Sequence, residues 1–424
     1  MVLSTKVFFI YIGICMLSAC SMLLLEEELD QAKNNQYIIK ANISADSIDA
    51  SNNSILSLFK KDTDGKPQFF AYRLVERDQN VYFVVPKGDY QLVAFEDKNQ
   101  DYKYQLGERT ALQKDVALEL FPDGNAADSD YALLLKGIQL DLTDQNLASS
   151  YKLDLAIEAV AATSSLPKRN YLEVISLADL RFNAANSHKG MWEPYSFSKE
   201  IGYGFYLLSE WDSNKAPLFL VHGINSSPAI WGDFIKNIDQ EKYQIILYHY
   251  PSAESLSMTA YYLGEAFIDI SQRNRKHKFT IIAHSMGGLV SRGAIQFLVY
   301  KNRPNMIEKF ITLSTPWGGD EAAQFAVDTS PVIAPVWKDL TPNSHYLKRI
   351  YEQPLPQDIE HILLSSFAGN TLIIPEKNDG AVTLKSQLRY EAQSDADKVY
   401  LIDATHVGIL TDPFTQQVIR GLLD

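Results

Sequence analysis

Residues 281–290 read IIAHSMGGLV: an apolar run ends in His284, Ser285 and Met286, and two glycines follow. That texture sets a serine on a strand-to-helix turn, where backbone strain presents the hydroxyl. The usual signature is G-x-S-x-G, and Ala283 stands where the first glycine is usual. The residues two before and two after such a serine crowd the turn, and Ala283 and Gly287 are both small enough. A serine hydroxyl is a poor nucleophile unless a base takes its proton, a third group orients the base and donors meet the oxyanion. The chain offers each part. The amide of Met286 opens a helix, where N–H groups lack intrahelical partners. FLVHGINSSPAIW places Ile224 just past His222 and Gly223 at a strand end, where it offers a second amide. Downstream, PEKNDGAVTLKSQL sets Asp379 before a glycine, and VYLIDATHVGIL sets His406 beyond a short strand. Glu376 and Asp403 compete as the acid, and His249, His284, His345 and His361 compete as the base. Asp403 lies in the histidine's own strand, and the four histidines lie upstream of the serine, beside it, or in or beside the insert. His222 reads as a residue holding its loop.

The elements that must position these groups alternate in type. APLFLVHG (216–223), YQIILYHY (243–250), KFTIIAHS (278–285), KFITLSTP (309–316) and EHILLSSFAG (360–369) read as buried strands. AIWGDFIKNI, SMTAYYLGEAFIDI and MGGLVSRGAIQFLVY read as the helices between them. Alternation at this pitch predicts a doubly wound, mostly parallel α/β sheet with helices on both faces, over 201–424. Residues 320–359 are longer than a bare connection needs and read as a cap or lid insert. Upstream, short β-branched and aromatic runs such as YIIKANI, PQFFAYRLV, VYFVV and DYQLVAF predict a small antiparallel β-sandwich over 37–140. Residues 141–200 read as a connector or support segment.

The amino terminus, MVLSTKVFFIYIGICMLSACS, has a lysine, about a dozen apolar residues and then small ones, the pattern of a secretory signal. Its LSAC (17–20) resembles the lipobox of bacterial lipoproteins. That resemblance implies removal of residues 1–19 and diacylglyceryl attachment to Cys20, with Ser21 directing the protein to the outer membrane of a bacterial envelope. Two acyl chains anchor stably where one is marginal. The acidic stretch at 26–36 then reads as the end of a tether covering 20–36. The only cysteines are Cys15 and Cys20, so a mature chain keeps no disulfide and no cysteine nucleophile or metal site.

Composition narrows the classes further. With 424 residues two domains are the expected count, and 46% hydrophobic residues provide for a packed core. A formal charge of −13 argues against binding nucleic acid. No P-loop or dinucleotide glycine pattern occurs, and the chemistry outlined above calls for no cofactor or metal. DKNQDYKYQLGE (97–108) puts Asp97, Asn99, Asp101 and Glu108 at EF-hand positions, but Tyr102 replaces the turn glycine, so an acidic hairpin loop is the preferred reading.

Taken together, LVHGINSSP, YHYPS, AHSMGG, TLSTPWGG, NDGAV and HVGIL resemble the lipase/esterase branch of the α/β-hydrolases. They are similar in texture to bacterial lipases and GPI-inositol-deacylase-like hydrolases. The resemblance covers about 200–424 and implies a serine carboxylic-ester hydrolase with Ser285 as nucleophile, His406 as base and Asp379 as its orienter. Ile224 and Met286 would be the oxyanion donors and an ester or lipid the substrate. Acyltransferase, thioesterase or amidase chemistry on the same triad stays open, as does an inactive surface binding protein. The partner of the first domain is unknown.

Overall fold

The computed structural model describes residues 21–49, 52–75, 80–120, 137–155, 169–274, 278–369 and 376–424. Cys15, Cys20 and the signal segment lie outside the described residues.

The alternating runs near the amino terminus form two small sheets. One joins β1 (Gln36–Ile43) to β4 (Val81–Pro86), β7 (Glu119–Leu120) and β8 (Ile138–Leu140). The other runs β3 (Pro67–Val75), β2 (Asn53–Lys61), β5 (Tyr90–Asp97), β6 (Thr110–Gln113). Ile39 and Ala41 of β1 and Phe83 of β4 meet Leu56, Leu58 and Leu92 of the second sheet in one buried cluster, which makes the pair a sandwich. Residues 141–155 stay with it: Thr143 and Thr110 exchange backbone hydrogen bonds, and Leu153 and Leu155 cover the outer face against Phe59 and Phe95.

The larger sheet has eight strands in the order β16-β15-β14-β13-β11-β12-β10-β9. These are β9 (Arg169–Val174), β10 (Tyr203–Leu207), β11 (Ala216–Val221), β12 (Tyr243–His249), β13 (Phe279–His284), β14 (Ile307–Leu313), β15 (Glu360–Ser366) and β16 (Lys398–Ile402). From β12 to β16 every pairing is parallel; β10 runs antiparallel to β12 and carries β9 beside it. Successive residues of the central strands feed opposite faces, as a period of two requires. Phe219, Val221, Ile281 and Ala283 join one core cluster with the helices Leu256–Arg273 and Met286–Tyr300. Leu218, Leu220 and Ile282 join another with Trp231, Phe234 and the helix Pro413–Leu423. All five strands read from the sequence are present.

Within 320–359 the structure distinguishes two parts. Val336, Leu340, Tyr346, Leu347 and Ile350 are buried in the first of these clusters, so the helices Pro335–Leu340 and His345–Ile350 are fixed packing elements. The helix Glu321–Thr329 buries only Ala323 and leaves Phe325 exposed.

Two further contacts join the parts of the chain. Residues 21–35, which read as a tether, are helical; Leu25 is buried in the main core and the Glu28 carboxylate accepts the Ser196 amide at 2.7 Å. On the helix Leu256–Arg273, Asp269 accepts the Tyr72 hydroxyl of β3 at 2.7 Å and also that of Tyr171. Arg273 bonds Asp269 at 2.7 Å and the Leu155 carbonyl at 2.9 Å, with its guanidinium 4.0 Å from the Tyr102 ring. A charge pair is buried there between sandwich and sheet.

Candidate active site

Ser285 follows the last residue of β13 and caps the helix Met286–Tyr300, at φ 55° and ψ −131°. A non-glycine residue in that region stores ~1–3 kcal/mol of strain, held here by a Ser285 N–H bond to the Leu313 carbonyl at 2.8 Å. Glycines permit the tight passage. A Cβ at Gly287 would sit 2.4 Å from the Val221 carbonyl oxygen, and one at Gly288 2.1 Å from the Thr315 hydroxyl. Ala283, by contrast, is fully buried in the core. Its methyl is accommodated there.

The three residues separated by up to 121 positions converge. His406 Nε2 lies 2.9 Å from Ser285 Oγ, and its Nδ1 lies 2.7 Å from Asp379 Oδ2. The carboxylate fixes the tautomer: Nδ1–H donates to Asp379, which leaves Nε2 to accept the serine proton. Burial pushes the Asp379 carboxyl upward, but the bond and charge of His406 and the amides of Val382 and Ala381 outweigh it and hold the acid below its ordinary value. The competing acids are elsewhere, with Asp403 and Glu376 both exposed.

The competing histidines take other places. His222 is fully buried, held near pKa 4 by burial, bonded through Nδ1 to the Gly223 carbonyl at 2.8 Å and stacked on Tyr250. His249 packs edge-on against Phe182 and Phe197, and His361 stacks on Phe310. His345 is exposed at the start of a helix in the insert. His284 supports the base through main chain, its Nε2 bonding the His406 carbonyl at 2.8 Å.

The loop that carries Ile224 follows β11. Asn225 N–H bonds the Ser252 hydroxyl at 2.9 Å, fixing the loop just after Ile224. A Cβ at Gly223 would lie 2.8 Å from Ser285 Cβ and 3.2 Å from Oγ, so only a bare backbone lets the loop approach the nucleophile. Neither the Ile224 nor the Met286 amide donates to a protein acceptor among the described hydrogen bonds, which is the state an oxyanion donor requires.

Next to the turn that follows Asp379 lies a cleft of about 940 Å³ that includes Asp320, Phe325, Val382, Lys385 and Tyr390; Ser285, Asp379 and His406 do not line it. Among the described residues no group of three His, Cys, Asp or Glu could hold a metal. In the 97–108 loop Asp97 accepts the amides of Asp101 and Tyr102, and Glu108 those of Lys98 and Gln105. No described helix is long and apolar enough to cross a membrane.

The sequence alone did not single out Gly223 as a contact of the nucleophile, nor Ser366 and Gln387, which both bond Asp379. Gln387 lies in the quoted KSQL, yet nothing in its spacing marks it.

Residues 244–372, less than half of the chain, match the model of the PGAP1-like alpha/beta domain. With the sheet order and the serine turn in place, that match decides the fold. It is the α/β-hydrolase fold. Among solved structures, the mature Bacillus licheniformis lipase BlEst2 is 20% identical, with 52% of this chain and 97% of that one covered and a TM-score of 0.42. The lin2722 product of Listeria innocua is 17% identical, covering 50% and 94%, with a TM-score of 0.37. Phospholipase PlaB of Legionella pneumophila is 17% identical in its thio-NAD complex, covering 41% and 44%, with a TM-score of 0.35. No curated protein matches the sequence.

Proposed function

We propose that this α/β-hydrolase is a serine carboxylic-ester hydrolase, anchored in a bacterial envelope by a lipid on Cys20. The observation that carries the chemistry is the pair of short contacts through one imidazole, 2.9 Å to Ser285 Oγ and 2.7 Å to Asp379 Oδ2. Ser285 Oγ attacks the ester carbonyl carbon while its proton passes to His406 Nε2. The amides of Ile224 and Met286 donate to the resulting oxyanion, and Asp379 holds the imidazolium in place. Collapse breaks the bond to the alcohol, which leaves with the proton from His406. Water then attacks the acyl-enzyme, giving its proton to His406. Breakdown frees the carboxylic acid and returns the proton to Ser285. Esters fit this constellation because the leaving alkoxide needs one proton and the imidazolium supplies one.

Ser285→Ala is expected to abolish both p-nitrophenyl ester turnover and fluorophosphonate labelling of the folded protein. Retention of either defeats the assignment. The anchor rests on the LSAC segment followed by Ser21. Cys20→Ser is expected to leave the protein in the soluble fraction without labelled acyl chains, and acylation of that variant would refute the anchor.

A further inference from the structure

The Asp379 carboxylate is fully buried, and a buried carboxylate stays ionised only when its lone pairs are met. Five donors meet it. Oδ1 accepts the amides of Ala381 at 3.0 Å and Val382 at 2.7 Å. Oδ2 accepts His406 Nδ1–H at 2.7 Å, the Ser366 hydroxyl at 2.8 Å and the Gln387 amide at 2.9 Å. The first two belong to the turn that follows the acid. Ser366 and Gln387 reach it from β15 and from the short helix Leu384–Gln387, and their orientation is determined by other bonds.

Gln387 has no exposed surface, and its Oε1 accepts the Ser366 backbone N–H at 2.9 Å. That contact decides which end of the amide is which: Nε2, a donor only, must face Asp379. The second Nε2 hydrogen goes to the Ser366 carbonyl at 3.0 Å, so the amide is doubly tied to one residue of β15. Ser366 Oγ in turn lies 2.6 Å from Ser314 Oγ at the end of β14. Since the one Ser366 proton goes to Asp379, the Ser314 hydroxyl donates to Ser366. The Ser314–Ser366 hydroxyl chain therefore ends on the carboxylate.

From this geometry we infer that Gln387, together with Ser366, is a positioning residue for the triad: it holds Asp379 Oδ2 in line with His406 Nδ1 and acts on the nucleophile only through that pair. The inference rests on the ester-hydrolase reading above. Gln387 contacts neither Ser285 nor the oxyanion amides among the hydrogen bonds described, so its removal alters the chemical step rather than substrate binding.

The test compares wild type, Gln387→Leu and Gln387→Glu on p-nitrophenyl butyrate, with Ser285→Ala as the blank. Gln387→Leu is expected to lower kcat by ~10–100-fold, the size of loss found when a metal-bound histidine loses its outer hydrogen-bond partner, with KM within about twofold. Its acid limb of kcat/KM moves to higher pH, because the ionised acid has lost a donor. Gln387→Glu keeps the side-chain shape and the Ser366 N–H contact, and a thermal melt of each variant at pH 6 separates lost fold from lost chemistry. As a neutral acid, Glu at 387 accepts from Ser366 N–H and donates its one hydrogen to Asp379, giving up only the bond to the Ser366 carbonyl; once ionised it sets a second negative charge against the first. The ratio of its kcat/KM to that of wild type is therefore expected to fall about tenfold or more between about pH 6 and pH 8.5. A merely structural role lowers both ends of that profile together. Parallel profiles, or a leucine variant with wild-type kcat, overturn the positioning role. Wild-type turnover no higher than the Ser285→Ala blank overturns the ester-hydrolase reading instead.

Discussion

Gly223→Ala offers the sharpest probe of the oxyanion loop, because the substitution adds one carbon and changes nothing else. Gly223 does not adopt a positive φ, so alanine meets no backbone penalty there. The added Cβ would lie 2.8 Å from Ser285 Cβ and 3.2 Å from Oγ, whereas carbon atoms pack at ~3.5–4.0 Å. The loop must withdraw by roughly 0.7–1.2 Å, since Ser285 is fixed by its bond to Leu313 and by the helix it opens. A donor that began about 2.9 Å from the oxyanion then stands beyond about 3.5 Å, outside hydrogen-bond range. Losing one such donor costs about 10²–10³ in kcat, or ~2.7–4 kcal/mol of transition-state stabilisation. The assay is kcat on p-nitrophenyl butyrate beside a thermal melt. The expected result is a loss of that size with KM and melting temperature little changed. A Gly223→Ala protein within about threefold of wild-type kcat would refute the placement of the loop.

Two further outcomes follow from groups away from the chemistry. Glu254 sits beside Tyr250, Met258 and Tyr262 at the seam with β1 and β4, and burial lifts its carboxyl to about 7. A raised acid favours the folded state below its unfolded value and loses that contribution as pH climbs through the folded one. Chemical denaturation of Glu254→Gln should therefore show stability that varies less between about pH 4.5 and 7, the wild type losing at most ~3 kcal/mol over that window; identical slopes would contradict the assignment. Arg273→Met leaves Asp269 buried beside two tyrosines without its cation, so the folded state is expected to lose ~3–5 kcal/mol of stability and proteolysis to separate sandwich from hydrolase; an unchanged melt would refute that role.

How much of this was legible depends on what kind of pattern each part leaves. The five parallel strands were readable because each is a short apolar run set between amphipathic helices. Tyr203–Leu207 and Arg169–Val174 escaped notice: the first has Gly202 before it and Gly204 in it, and the second reads RNYLEV, with three polar residues among six, so neither carries a clean run. The helix at 21–35 reads as charged linker because its buried stripe is narrow, Leu25 and Leu29 four residues apart with acids around them. Ser285, Asp379 and His406 could be found from type, order and flanking elements. Gln387 and Ser366 could not, because a supporting donor needs only to be near in space, and no spacing rule links residue 387 to residue 366.

The placement of His406 follows from backbone bonds made by the neighbours of the other two members. Its N–H donates to the Asp379 carbonyl at 2.8 Å, while its own carbonyl accepts His284 Nε2, one residue before the nucleophile. Burial and the charge of His406 push His284 down to about 3, so its imidazole is neutral and carries a single N–H. Nδ1 of that ring has no partner among the described residues, which leaves Nε2–H as the hydrogen that meets the carbonyl. One side of the His406 peptide is thus tied to the acid's loop and the other to the serine's strand. Motion of the strand before Ser285 relative to the Asp379 loop would strain these two bonds along with the side-chain contacts. Three residues on separate elements keep hydrogen-bond distances for this reason: the base is suspended between its partners by main chain, and its ring only completes an alignment that the peptide has already set.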